Sequence, residues 1–357
     1  MAKSSKQLER RKAAAAGIDL GSRRSEVCLV DEAGEVVERR TLATTPAAFT
    51  KLFGGLPPLR ATLEAGGQSN WAARLLAELG HEVIVADARQ VRLIVETYSK
   101  SDRRDAALLA QITLRWPALL HPVRPRSLET QRGRALLRLR ETLVEARTKL
   151  INAVRGVAKS FGERLPAATG EAFARQAAGQ IPAQLREAAG PALLALEALT
   201  AQIQVYDRRV AKLGERYRAT RRLRSIPGVG PLTSLAFVLA LDDDPQRLSS
   251  SRAAGAFVGL RPKRRDSGES SPELSVTRNG DRLLRRLLVQ CAQYILGPFG
   301  QDSALRRWGL GLAARSGTRR GKRRAVVATA RKLAVLLHAL WRRDEDFDPL
   351  RGLPAPS

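Results

Sequence analysis

Four carboxylates in the first third of the chain have types and spacings suited to metal-assisted phosphodiester chemistry. Asp19 interrupts the otherwise apolar run Ala15–Leu20, and Glu64 follows a second such run, Leu59–Leu63. Asp102 and Asp105 stand three residues apart where a helical pattern begins, so they share one helix face. An acid inside an apolar strand is costly without a partner or a bound ion. Carboxylates converging from two strands and a helix offer hard oxygen ligands to Mg²⁺ or Mn²⁺. A pair of such ions stabilises the attacking and leaving oxygens of a phosphodiester.

The elements that must carry these acids alternate between strand and helix. Ala15–Leu20 reads as a strand, and Ser25–Val30 and Glu35–Leu42 flank the hairpin turn Asp31-Glu32-Ala33-Gly34. Pro46–Phe53 is helical in pattern, and Leu59–Leu63 returns to strand. Asn70–Leu79 is a helix closed by Gly80, and Glu82–Ala86 is a fifth strand. Helix follows over Arg89–Thr97 and again from Asp102. Three hairpin-connected strands, then helix, strand, helix, strand and helix, open two folds: the ribonuclease H-like nuclease fold and the actin-like ATPase fold. In the former, strand four lies beside strand one and brings Glu64 next to Asp19.

The rest of the chain reads differently. Leu136, Leu143, Leu150 and Val157 recur every seven residues, with Leu139, Ala146 and Ala153 at the intervening d spacing. Leu196, Leu199, Ile203, Tyr206, Val210, Leu213 and Tyr217 repeat the pattern. Two long helices pairing as a coiled coil, within or between chains, are expected, with short helices and turns over Phe161–Pro191. Beyond residue 222, the turn around Gly228 and Gly230 resembles a helix-hairpin-helix backbone clamp, in which glycines let N–H groups approach a phosphate. Arg261, Lys263, Arg264 and Arg265 precede a Ser/Gly-rich loop, Asp266–Pro272. A basic amphipathic helix, Asp281–Tyr294, carries Arg282, Arg285 and Arg286. A second basic cluster, Arg315–Arg324, precedes a terminal helix Ala325–Trp341, and Asp344–Asp348 reads as a solvated tail. The expected organisation is a basic tail (1–14), an α/β domain (15–120), a helical coiled-coil region (121–222) and a mainly α C-terminal domain (223–357).

Charge indicates the partner. The 357 residues hold 62 Lys and Arg against 35 Asp and Glu, a net +27. The excess grows along the chain, from +4 over residues 1–120 to +9 over 121–220 and +14 over 221–357. Such a field suits a polyanion. Aromatic residues at 4% provide no stacking platform for single strands, so contact with a duplex backbone is expected. Two cysteines, Cys28 and Cys291, exclude a disulfide framework, and no Cys/His cluster suits zinc. No apolar run reaches the roughly 18 residues of a membrane span, and the Ala13–Ala16 run is no signal-peptide core. A cytoplasmic, nucleoid-associated protein is expected.

Several motifs in order resemble one family. Gly17-Ile18-Asp19-Leu20-Gly21, Leu63-Glu64-Ala65 and Lys100-Ser101-Asp102-Arg103-Arg104-Asp105-Ala106 resemble the N-terminal half of the DEDD transposases of bacterial insertion sequences, the IS110 family. Ile226-Pro227-Gly228-Val229-Gly230, Ala256-Phe257-Val258-Gly259-Leu260, Asp266-Ser267-Gly268, Gly280–Leu288 and Ala330–Ala334 are similar to its C-terminal half. The resemblance implies a RuvC-like N-terminal domain with Asp19, Glu64, Asp102 and Asp105 as metal ligands, and a nucleophilic serine that maps onto Ser267, with Ser270 and Ser271 as the alternatives in the same loop. It also implies Mg²⁺ or Mn²⁺, double-stranded DNA at element ends and target, and a structured element-encoded guide RNA; the heptad helices lead to the expectation of a homo-oligomer, dimer or tetramer. Arg103 and Arg104 join the basic residues named above as expected nucleic-acid ligands. Ser267 is preceded by Asp266 where serine is usual, and Asp281 stands where asparagine is common.

Two other classes fit parts of the pattern. Gly17–Ser22 followed by a hairpin resembles the first phosphate loop of an actin-like kinase, although a second glycine-rich phosphate loop is missing and +27 does not suit a small substrate. A non-catalytic coiled-coil DNA-binding protein would make the four acids coincidental.

Overall fold

The computed structural model describes Arg10 and residues 12–87, 102–264 and 273–351; the predicted helix Arg89–Thr97 and the loop bearing Ser267 lie outside them. The chain divides into two compact units, 1–126 and 127–357.

The first unit is built on a five-stranded mixed sheet. Its strands are β1 (Ala15–Asp19), β2 (Arg24–Val30), β3 (Val36–Ala43), β4 (Arg60–Glu64) and β5 (Glu82–Ala86), in the spatial order β3-β2-β1-β4-β5. The hairpin strands pair antiparallel, whereas β1 with β4 and β4 with β5 are parallel. This is consistent with the expected ribonuclease H-like domain. Period-two alternation sorts the side chains onto two faces. Ala16, Ile18, Val27, Leu29, Ala61 and Leu63 form a core with α1 (Pro46–Phe53) and α2 (Ser69–Glu78). Ala15, Cys28 and Val30 turn the other way, against Ala106 and Ala110 of α3 (Asp102–Arg115). His81 ties the layers together: Nδ1 accepts from the Leu59 N–H and Nε2 donates to the Phe53 carbonyl.

In the second unit α4 (Leu128–Ser160) and α6 (Arg186–Gly214) are the two long helices expected, separated by α5 (Phe173–Ala178). Arg140 pairs with Asp207 at 2.5 Å, and Arg147 donates to Thr200 at 3.3 Å. Increasing number on α4 matches decreasing number on α6, so the two run antiparallel. Helix α6 begins five residues before Pro191, which therefore sits in its second turn, where it removes one intrahelical hydrogen bond. The bases of both helices, at Leu137 and Val210, share a core with α7 (Arg218–Leu223), α8 (Pro231–Ala240), α9 (Ala253–Phe257) and α10 (Arg282–Leu296).

A two-stranded antiparallel ribbon, β6 (Pro262–Arg264) with β7 (Glu273–Val276), frames the segment that contains Ser267. Helices α11 (Ala304–Ser316) and α12 (Arg319–Arg343) finish the unit. Two expectations change here. The basic cluster does not precede the terminal helix: Arg319–Arg324 form its first turns, because Thr318 caps it by accepting the Gly321 N–H at 3.0 Å. Nor is the acidic end a free tail: Asp344 pairs with Arg218 at 2.8 Å and with Arg222, and Asp346 also meets Arg222 at 3.2 Å.

Candidate active site

Asp19 is the last residue of β1 and Glu64 the last of β4, rather than Asp19 lying mid-strand. The parallel register pairs Ile18 with Leu63, so the next residues, Asp19 and Glu64, end level on adjacent strands. Both alternate with residues of the α1–α2 core, which puts both acids on the α3 face. Asp102 opens α3, and Asp105 is half-buried in its first turn.

Gly17 governs how close α3 comes. A Cβ at this position would stand 2.0 Å from the Ala106 carbonyl oxygen and 2.3 Å from the Ala110 nitrogen. The helix backbone therefore rests directly on β1, two residues from Asp19 on the same strand face and one residue from Asp105. Only glycine permits that approach.

Two polar residues near these strand ends had no role assigned from sequence. Gln68 donates from its side-chain amide to the Gly21 carbonyl at 3.0 Å and the Ser22 carbonyl at 3.3 Å, strapping the turn after β4 to the turn after β1. Glu26 lies directly across β2 from Asp19 and accepts a 2.6 Å hydrogen bond from Thr41 on β3. The hairpin register was the signal that would have found Glu26; nothing local marks Gln68. Among the residues whose side chains are described, no three Asp, Glu, His or Cys converge closely enough to hold a metal, Asp102 being outside that set. The donor chemistry, oxygen only and anionic, suits a hard divalent ion.

The expected nucleic-acid residues fall into distinct settings. Arg104, Arg261, Lys263 and Arg282 are exposed, while Arg103 and Arg264 are placed only by backbone, in α3 and β6. Arg265 and Ser267 lie outside the described residues. Gly228 has φ +89°, and its missing side chain makes room for Tyr294, whose ring would lie 2.7 Å from a Cβ; the space around Gly230 is open. Arg285 donates to the carbonyls of Val258 at 3.2 Å and Asn279 at 2.9 Å, and burial lowers its pKa below the usual guanidinium value. Arg286 pairs with Glu141 and Glu145 of α4. Asp281 caps α10 by accepting the Leu284 N–H at 3.0 Å and pairs with Arg134 at 2.6 Å. Burial alone would raise its carboxyl, but the cap bond and the guanidinium outweigh burial and hold it below the ordinary value.

Comparison with known proteins decides between the classes. Residues 16–162 match the model of the DEDD transposases of IS110 type, and residues 220–306 match that of the transposase IS116/IS110/IS902 family. The chain is 30% identical to the transposase for insertion sequence element IS1111A of Coxiella burnetii, over 93% of its own length and 90% of the relative's. The chain belongs to the IS110-type insertion-sequence transposases. A probable family 20 transposase of Pseudomonas aeruginosa is 31% identical over 93% of this chain and 98% of that protein. The transposase for IS1328 of Yersinia enterocolitica is 30% identical, covering 82% and 87%. A DNA transposase displaces both the kinase and the non-catalytic reading. Among the described residues no helix is long and apolar enough to cross a membrane.

Proposed function

We propose that this transposase cuts and rejoins DNA at a carboxylate centre of Asp19, Glu64, Asp102 and Asp105, with Ser267 as the nucleophile of strand exchange. The observation that supports this most is the level placement of Asp19 and Glu64 on one sheet face, the face on which α3 rests at Gly17. Mg²⁺ or Mn²⁺ held by these four carboxylates would neutralise charge building up on the phosphodiester. Arg261, Lys263, Arg264 and Arg265 hold the scissile phosphate by charge-assisted contacts. Ser267 Oγ bonds to phosphorus while the P–O bond to the leaving strand breaks. The serine proton passes by way of the Asp266 carboxyl to the leaving oxygen, which departs as a hydroxyl. Attack by another strand's hydroxyl reverses these steps, so no external energy source is needed.

The partners in this reading are duplex DNA at element ends and target, a structured element-encoded RNA that supplies sequence specificity by pairing, and further copies of the chain. Two exposed apolar residues on one face of α4, Leu139 at 54% and Val157 at 50% accessible, are the positions assigned to self-association.

The test uses the full chain on a labelled nicked donor end with Mg²⁺, denatured and resolved for protein-linked DNA. Wild type should give an adduct and recombinants. Ser267→Ala should lose both and keep DNA binding, and Glu64→Gln should lose recombination. A Ser267→Ala protein that retains the adduct removes the serine assignment, and a Glu64→Gln protein that recombines removes the carboxylate centre.

A further inference from the structure

The densest charge in the chain lies at the tip of the α11–α12 hairpin, outside every element assigned to chemistry above. Arg315, Arg319, Arg320, Lys322, Arg323 and Arg324 fall within ten residues with no acid among them, and all six are exposed. Several other guanidinium groups of this unit are engaged internally: Arg134 with Asp281, Arg140 with Asp207, Arg222 with Asp344, Arg286 with Glu141. Among the described residues no carboxylate pairs with Arg319, Arg320, Lys322 or Arg323.

The hairpin holds these cations in a defined arrangement. Gly317, at φ +60°, turns the chain out of α11, and Ser316 and Thr318 hydroxyls bond at 3.0 Å across the turn. Gly321 packs so tightly that a Cβ would stand 2.1 Å from Ser316 Cβ. Lower down, a Cβ on Gly309 would meet Thr329 Oγ1 at 2.5 Å, so the two helices cross at close range. At 100° per residue, Lys322, Arg319, Arg323 and Arg320 fan over roughly 160° of the α12 surface, away from the buried Gly321 and Ala325. Cations so arranged can reach phosphates on two sides of the helix at once.

A helix about 10–12 Å across fits the B-DNA major groove, about 12 Å wide, whereas the A-form RNA major groove is too narrow for it. Resting on the reading of this chain as a DNA transposase, we propose that the α11–α12 tip seats B-form duplex DNA, gripping phosphates on both sides of one major groove through Arg319, Arg320, Lys322 and Arg323. The seat is independent of sequence, since no aromatic residue or amide lies among the four cations to read base edges.

The experiment is fluorescence anisotropy of the full chain on a labelled duplex of about 30 base pairs, titrated from low to moderate KCl. Each neutralised phosphate contributes roughly −0.9 to the slope of log K against log salt. The quadruple variant Arg319→Gln, Arg320→Gln, Lys322→Gln, Arg323→Gln should flatten the slope by about 3 to 4. Arg319→Gln with Arg323→Gln alone should flatten it by about 2. A control removes four exposed cations from the end of α6 and the turn that follows it, by Arg208→Gln, Arg209→Gln, Lys212→Gln and Arg216→Gln, and should change the slope by less than about 1. If the control flattens the slope as much, net field rather than a seat is responsible and the proposal falls. It falls equally if the quadruple variant keeps the wild-type slope, or if it loses affinity for an RNA duplex of the same sequence as strongly as for DNA. Wild type that still recombines in those cases leaves the transposase reading standing; wild type that binds no duplex DNA removes both.

Discussion

Gly17→Ala adds one methyl group where the sheet and α3 touch. The new Cβ would lie 2.0 Å from the Ala106 oxygen, 2.3 Å from the Ala110 nitrogen and 2.9 Å from the Leu109 Cβ. Two of these three atoms are helix backbone, so no rotamer change relieves the clash. Reaching even 3.0 Å, itself a tight contact, requires α3 to withdraw from β1 by about 1 Å. Overpacking of this kind costs about 1–3 kcal/mol, a sizeable part of the roughly 5–15 kcal/mol that holds a domain folded. The withdrawal carries Asp105 with it, away from the strand that holds Asp19. A catalytic group misplaced by about 1 Å loses on the order of 10²-fold in rate. Strand cleavage by Gly17→Ala should therefore fall by roughly that factor while duplex affinity stays within several-fold, because the carboxylates are intact and the cations untouched. Urea unfolding followed by tryptophan fluorescence measures the stability loss, with Trp71 and Trp116 in the same unit as reporters. Gly67→Ala is the control, since nothing lies within 4 Å of its added Cβ. A Gly17→Ala protein as stable as wild type would mean that α3 does not rest on β1. One that is destabilised yet fully active would mean that this contact does not position the carboxylates.

Asp19→Asn should abolish strand exchange and leave duplex affinity within several-fold, measured by recombination and anisotropy on one preparation; a proportionate loss of binding would contradict the division between chemistry and charge. Burial lowers the pKa of His81 and His338 below the ordinary 6.5, outweighing the opposing hydrogen bonds to the Phe53 and Pro245 carbonyls. The unfolded chain then binds more protons than the folded one just below pH 6.5, so stability is complete above that value and declines as pH falls through it. Melting temperatures across pH 7.5 to 5 check this, and His81→Gln with His338→Gln should flatten the profile. Asp281 works in another window: its lowered pKa stabilises the fold above the unfolded value of 3.8 and fails as pH falls through the lower folded value, so Asp281→Asn should blunt acid unfolding only there. Leu139→Glu with Val157→Glu should shift light-scattering mass toward monomer without lowering the melting temperature. Ile203→Asp, at a side chain 1% exposed, should instead unfold the helical pair, and an intact melt would contradict its burial.

The sheet was legible because both of its faces are buried in different ways. Apolar runs at Ala15–Leu20, Leu59–Leu63 and Glu82–Ala86, and a hairpin marked by Asp31-Glu32-Ala33-Gly34, placed all five strands within a residue or two of where they lie. The neighbouring placement of Asp19 and Glu64 was legible too, since each closes one of two runs that pair in the sheet. The fine geometry was not. That Gly17 is the contact point with α3, and that Glu26 stands opposite Asp19, follow from pairings between distant segments that no local window contains. The basic residues were harder still: Arg282, Arg285 and Arg286 are alike in sequence, yet Arg285 and Arg286 turn inward to carbonyls and carboxylates supplied by other elements.

The long helices show why a correct element can hide its register. Leu136, Leu143, Leu150 and Val157 make an unbroken apolar heptad on α4, and one residue further on so do Leu137, Val144, Ile151 and Ala158. Sequence alone favours the first row because its d positions, Leu139, Ala146 and Ala153, are also apolar. The fold buries the second row more deeply, at Leu137, Ile151 and Ala158 with Val154 beside them, and splits the first: Leu136 and Leu150 pack half-buried against the core, while Leu139 and Val157 are exposed. That choice puts Arg140 and Arg147 at intervening positions, which is tolerable only because α6 presents Asp207 and Thr200 opposite them. On α6 the anticipated row survives, with Leu196, Ile203 and Val210 all buried. The antiparallel pair thus closes on a seam containing charge and leaves Leu139 and Val157 of α4's more apolar row outward. A single chain gains nothing from exposing these two residues, because water-exposed leucine and valine forgo the burial that stabilises a fold. Leu139 and Val157 are what the pair leaves for an outside partner, and another copy of the chain is the partner proposed for them.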